Sequence, residues 1–409
     1  MLKKTISILF CLFAAVMITA TAVAAEPDSA EKTQENKWTP FEFGTLDLIE
    51  PKNPIQLFGS DVSVYGLRFN IFHANNENIY GIDFGPLGYN KVENNMTGLQ
   101  LGAGVNNVEG EFKGLQISGV VNRSKDKSGG MQFALGANIA EGSDFFGPQL
   151  SGIGNYADDT LTGFQVSGGL NVADEFQTPS FQIGGLGNGA GDITGVQFSG
   201  GVNYADNKGL QLAGLGNGAE NMTGLQLTGG VNYVADNAKC LQIAGLGNVR
   251  GQGANLGLQV TGGVNFAADN LNGLQLAGLV NKADAFGGVM LAGIGNWNSE
   301  NFTGMQIGSL GNVVLEPSDA SSGLQIAGGL NAHRGTLTGG QFSLLENGAR
   351  NIKGIQVTGI FNRAVEMKGI QLGLINYSET LKGIQIGAIN IVVDNVTLMP
   401  VLPMFNARF

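Results

Sequence analysis

An internal repeat constrains this chain more than any other feature. The motif is Gly-apolar-Gln-apolar, then one or two Gly, then Asn six residues after the Gln. The Gln stands at 100, 116, 132, 149, 165, 182, 197, 211, 226, 242, 259, 275, 306, 325, 341, 356, 371 and 385, and Met290 fills the one vacant slot. Arg68 and Asp83 occupy the same slot in two earlier copies, so there are 21 units, spaced mostly 14 to 17 residues apart. A short fixed period means that one supersecondary unit is stacked many times, each copy burying its apolar side against its neighbours.

Within a unit such as Leu225-Gln226-Leu227-Thr228-Gly229-Gly230-Val231-Asn232, apolar and polar residues alternate. A period of two is strand patterning. The stretches between are turn compositions, for example Ala235-Asp236-Asn237 and Asn221-Met222-Thr223-Gly224. No segment of the repeats carries a helical stripe, and the units leave no room for a crossover helix, so the fold class is all-β.

Two all-β architectures fit this inventory. Each unit could be one coil of a β-solenoid with Gln and Asn in ladders, or one strand of an antiparallel meander closing into an outer-membrane barrel. From Gln149 to Gln275 the units alternate between a Gly-Leu-Gly-Asn and a Gly-Gly-Val-Asn ending, a true period of about 32 residues. Up and down strands explain such parity directly. A strand of about ten residues, tilted by about 40°, also spans the roughly 25 Å apolar band of an outer-membrane barrel. Tyr156, Tyr204, Tyr233, Phe266, Trp297 and Tyr377 all follow the repeat Asn, as an interfacial girdle would. Val401, Phe405, Ala407 and Phe409 alternate in a final strand that resembles the assembly signal of outer-membrane barrels and makes the strand count an even 22. The expectation is therefore a barrel of 21–22 strands, with a β-solenoid as the alternative. Against the barrel stand the Gly residues on its lipid side, the lack of long loops and the near-identity of the repeats.

The first residues read as a signal peptide over 1–25. Lys3 and Lys4 precede an apolar run from Ile6 to Ala20, and small residues follow at Ala22 to Ala25. Residues 26–57 form an N-terminal segment and 58–409 the β-repeat domain. Removal of residues 1–25 takes the net charge from -11 to -13, with 20 basic against 33 acidic residues. So acidic a chain repels phosphate backbones, which excludes nucleic acid as a partner. Cys240 is then the only thiol, in a column that is Gly in most repeats, and reads as a small apolar substitute.

Motifs that suggest chemistry dissolve into the repeat. Gly185-Leu186-Gly187-Asn188-Gly189-Ala190 and Gly214-Leu215-Gly216-Asn217-Gly218-Ala219 match a dinucleotide fingerprint, but no helix follows either. His73 and His333 stand alone and read as solvated turn residues. Asp158, Asp159, Asp236 and Asp269 sit in turns without the spacing of calcium-binding β-rolls. No catalytic, cofactor-binding or metal-binding residue is assigned, and no cofactor is expected. Arg68 and Asp83, on neighbouring units, are expected to form an ion pair that marks the start of the array.

The strings Gly369-Ile370-Gln371-Leu372-Gly373-Leu374-Ile375-Asn376, Gly383 to Asn390, Val64-Tyr65-Gly66-Leu67-Arg68-Phe69-Asn70 and Pro403 to Phe409 resemble a family of bacterial surface-repeat proteins. The resemblance covers about residues 54–409 and implies export to the outer membrane or cell surface. It carries over no catalytic residues. The expected function is non-enzymatic: a structural or passive-pore protein of the outer membrane or, on the solenoid alternative, an adhesin or binding scaffold using a flat Gln/Thr face.

Overall fold

The computed structural model describes residues 37–46, 54–142, 144–176, 180–253, 255–316, 321–394 and 400–409. The signal-peptide segment lies outside them. Every repeat lies in one compact unit, Trp38–Phe409.

Each repeat is one coil built of two short strands. Met222–Thr228 pairs in parallel with Ala238–Ala244, which pairs in parallel with Asn255–Thr261. On the other side of each coil Val231–Val234 pairs with Gly247–Arg250, and that with Val264–Ala267, again in parallel. Gln226, Gln242 and Gln259 stand in register, as do Asn232, Asn248 and Asn265. The protein is therefore a β-solenoid, and the barrel expectation is overturned. A meander requires antiparallel neighbours, whereas here the chain returns through a second sheet and lays each unit on the last, about 4.8 Å further along.

The interior is half amide and half hydrocarbon. Every Gln and Asn of the repeat from Asn90 to Asn390 is buried, most at 0% exposure. The residue four before the Gln (Met96, Phe112, Phe145, Leu161, Met222) and the residue two after the Asn (Val108, Ala140, Ala157, Ala219, Val234) fill the remainder. The Gln amides form one ladder, donating toward the N-terminus: Gln165 Nε2 to Gln149 Oε1 at 2.8 Å and Gln182 Nε2 to Gln165 Oε1 at 2.9 Å. The Asn amides donate the opposite way, Asn232 Nδ2 to Asn248 Oδ1 at 2.9 Å. Many of the amides also tie their own coil across the core. Asn232 Nδ2 reaches the Gln226 carbonyl at 3.3 Å, and Gln165 Nε2 the Val172 carbonyl at 3.0 Å. Facing these carbonyls, only the NH2 end of each amide is acceptable, which fixes the direction of both ladders.

This reverses the expected faces. Gln points inward and its two apolar neighbours point outward: Gln226 is 0% exposed and Leu227 37%. A flat Gln/Thr surface does not exist, and Thr228 is itself buried.

Two glycine columns permit the stacking. The residue two before the Gln is held at positive φ, as at Gly114 (143°) and Gly354 (148°). A Cβ there would lie 1.9 Å from the carbonyl oxygen of the equivalent glycine one coil back. The parity has its origin in the second column, at the arc after the Gln strand. Val231 N–H donates to the Leu215 carbonyl, whereas Leu246 and Gly247 N–H both donate to the Gly230 carbonyl. The arc backbone thus alternates from coil to coil, and the bulky residue shifts by one position with it. Parity arises within a one-unit coil and needs no antiparallel strands.

Both ends of the stack are capped. Trp38–Leu46 runs parallel to Ser63–Asn70, with Pro54–Gln56 antiparallel to its far end. At the other end Val401–Arg408 pairs antiparallel with the last coil, placing Asn406 opposite Gln385. The C-terminal strand is a lid on an open sheet edge, a place where an unpaired strand would otherwise recruit another chain.

Met290 interrupts the Gln ladder. Gln275 Oε1 is buried without a donor, and Gln306 turns to Asn298 in the vacated coil. The double substitution Met290→Gln with Asn298→Ala is expected to restore the ladder and raise stability by about 1 kcal/mol; a lower unfolding midpoint in urea would contradict the role assigned to the ladder. A second comparison tests the faces. Gln226→Glu puts a carboxylate into the core and should cost several kcal/mol, while Leu227→Asp on the outer surface should leave the melting temperature nearly unchanged.

Candidate binding surface

The inward Gln column begins in charge. Arg68 Nε and Nη2 donate to the two oxygens of Asp83 at 2.7 and 2.6 Å, with both side chains fully buried. Gln100 Nε2 donates to Asp83 at 2.9 Å, so the carboxylate accepts the first rung of a ladder that donates toward it. One coil earlier Glu42 stands opposite Arg68 and accepts N–H bonds from Leu57 and Phe58 at 2.7 and 3.2 Å. Burial holds the Glu42 carboxyl above its usual value despite these bonds and the nearby Arg68. The expected Arg68–Asp83 pair forms, but in the core. It terminates the ladder and has no access to a pore or ligand. Glu42 escaped the sequence reading although Phe41-Glu42-Phe43 matches Leu67-Arg68-Phe69 and Ile82-Asp83-Phe84 in pattern.

Arg250 and His333 lie buried in the column two residues after the Asn, and Cys240 in the column two before the Gln. Arg250 is fully buried, donating to Gln242 Oε1 at 2.7 Å and to the Cys240 carbonyl at 2.8 Å. Cys240 is a buried free thiol in register with Gly224 and Gly257, and burial pushes its pKa up. Arg250 was also missed; its only signal is a charge in a column otherwise mostly Ala and Val. His333 is 2% exposed, which corrects its assignment to a solvated turn. Its Nδ1 accepts from Gly335 N–H at 3.1 Å and its ring meets Phe302 edge-on. His73 stacks on Tyr89 at 5.3 Å. Arg250 and Cys240 share one coil, His333 and His73 sit in others, and no group of three His, Cys, Asp or Glu able to hold a metal occurs among the described residues.

The remaining expected sites fall in the repeat geometry. Gly187 to Ala190 begin the strand Gly187–Ser199, and no helix follows among the described residues. Asp158 and Asp159 are exposed but lie within the strand Gly154–Thr162, at an irregularity in its pairing, which corrects their assignment to a turn. Asp158 accepts from Tyr156 Oη at 2.6 Å, Asp236 is an exposed bend carboxylate and Asp269 is half-buried. Burial first, and Asp158 second, hold the Tyr156 phenol protonated beyond its usual range. The six aromatics after the Asn form no girdle. They lie in an outward row on the Asn sheet, half-buried except for Trp297, which is 46% exposed.

What the fold does assemble is a surface. The residues before and after each Gln point outward from the Gln sheet and stack in register, Leu225 on Leu241 and Leu258, Leu227 on Ile243 and Val260. From Gln100 to Gln385 both rows are apolar in every one of the nineteen units except that Gly340 stands before Gln341. A third apolar row follows on the arc, where Leu215, Leu246 and Leu310 are 69%, 68% and 65% exposed. A shallow depression of about 350 Å³ runs beside it, lined by Leu276, Gly278, Leu291, Gly293 and Ile307 among others. Eighteen steps of about 4.8 Å make the strip roughly 86 Å long, and its first two rows alone cover on the order of 1,000 Å². A soluble monomer rarely exposes an apolar patch above about 300–600 Å². Charges concentrate on the far edge: from three residues before the Gln to one after the Asn, the nineteen units hold one carboxylate, Glu346.

Comparison with family models, curated proteins and solved structures found no significant match. No helix among the described residues is long and apolar enough to cross a membrane.

His333 offers a test of the interior. Burial outweighs its backbone hydrogen bonds and depresses its pKa below the usual 6.5. The unfolded state therefore binds the proton more readily, and stability is lost as pH falls below about 6.5. Between about pH 7.5 and about pH 5.5 the native chain should lose more melting temperature than His333→Ala, which places the common Ala in that column. Equal losses in the two proteins would remove His333 from the acid response.

Proposed function

We propose that this protein is an exported, non-enzymatic β-solenoid that serves as a binding scaffold at the bacterial cell surface. The observation that carries this reading is the apolar strip, in which the same outward residues recur in register over nineteen coils. In a closed parallel stack any feature of one coil becomes a row, so the surface suits recognition by area and repetition more than by a convergent cluster of groups. The signal-like N-terminus and the resemblance to bacterial surface-repeat proteins support export. The polar groups of the core are consumed in ladders and caps, which leaves the outer rows as the part of the molecule free to make contacts.

The scaffold presents its exposed lysines, among them Lys113, Lys208 and Lys353, beside the strip. A membrane-impermeant amine reagent applied to intact cells should label these lysines nearly as fully as it does after lysis. Labelling that appears only after lysis would defeat the surface reading.

A further inference from the structure

We infer that the apolar strip is seated on a lipid leaflet bearing anionic headgroups, with the solenoid lying along the membrane surface. This rests on the scaffold reading and names its partner. The strip is a continuous exposed apolar feature of the described residues, and its borders carry the sign of charge that a membrane partner requires. Three residues before the Gln, one bordering row holds Lys113, Lys208, Lys239, Lys353, Lys368 and Lys382, all exposed, and no acid. Beyond the arc, the outward row of the Asn sheet, one after the Asn, holds Arg123, Lys282 and Arg363 among the aromatics, with Lys282 over the Phe266 ring, again without an acid. A chain of net charge -11 thus edges its apolar strip with basic side chains and keeps its carboxylates farther out, where Glu111 pairs with Lys113 at 2.6 Å and Glu141 with Arg123 at 2.7 Å.

The last coils show the arrangement most clearly. Lys353, Lys368 and Lys382 stand directly in register on consecutive coils, about 4.8 Å apart. Like charges stacked on neighbouring strands repel. Among the described residues Glu366 reaches Lys368 at 3.6 Å, and no carboxylate pairs with Lys353 or Lys382. Ile355, Leu372 and Ile386 beside them are 40%, 36% and 43% exposed. An anionic headgroup layer would relieve the lysine column while acyl chains cover the hydrocarbon, and lysine stems reach from apolar contact to a polar boundary. A second copy of the chain fits less well. Packed face to face, its basic borders would meet the same basic borders, because both flanks carry the same sign. The committed partner is therefore a bilayer leaflet, and self-association becomes an outcome of the test.

Flotation of the protein, purified in the form the cell accumulates, separates these cases. One set of vesicles is phosphatidylcholine alone, and the other contains about one-third phosphatidylglycerol. The native chain should float with the anionic vesicles at least tenfold more than with the neutral ones, since each lysine near such a surface contributes about 1 kcal/mol. High salt should remove most of that difference, a readout that needs no variant. The triple change Lys353→Glu, Lys368→Glu and Lys382→Glu should abolish the preference for anionic vesicles. Ile355→Ser, Leu372→Ser and Ile386→Ser together should weaken binding to both, with the far-UV spectrum unchanged. No flotation with either vesicle overturns the proposal. So does a concentration-dependent dimer that the Ile and Leu changes dissolve, which would assign the strip to a second copy. Either result leaves the scaffold reading standing if the lysines are labelled on intact cells; failure of that labelling removes the scaffold reading itself.

Discussion

The structure depends on in-register parallel stacking of a closed coil. Once one coil lies on the next with every residue over its equivalent, each column must satisfy the same physical demand about twenty times. A buried amide meets that demand well, because its NH2 donates to the oxygen of its neighbour at the spacing that strands already have. The Gln and Asn columns are therefore a load carried inside, where an isolated amide would cost free energy. Their opposite directions oppose their amide dipoles, and their second bonds to carbonyls hold the two sheets of each coil together.

A ladder of this kind needs a beginning, and the Glu42, Arg68 and Asp83 column supplies it. Gln amides that donate toward the N-terminus must end on an acceptor, and a carboxylate held by a bidentate guanidinium is one. The break at Met290 shows the same rule from the other side, because the coil that loses its Gln gains a polar Asn298 at the next inward position. Arg250 marks an interruption of the apolar column between the cluster around Met222 and that beginning at Ala267.

The same stacking shapes the exterior. Whatever residue stands beside the Gln becomes a row, so apolar neighbours become a strip and lysines three positions earlier become a border. The candidate surface is thus a product of repetition. No single coil contains it, and its properties come from area and from the segregation of charge around it.

The amino-acid sequence by itself determined the unit, its strand character, the absence of a helical stripe, the Gln and Asn columns and the pairing of Arg68 with Asp83. These follow from periodicity and from which residue types stack on themselves. The tertiary structure alone decided that neighbours run parallel and which face is inside. Alternation at period two defines two faces of a strand but does not say which is buried. The apolar row looked like the core until the coil closed, and closure leaves room for amide ladders whose partners exist only in the next coil. It likewise decided that parity comes from an alternating arc at Leu215 and Gly230, that His333 is buried, and that the C-terminal strand caps an edge. Each of these rests on contacts between residues a full coil or more apart, where the local pattern is the same for either answer.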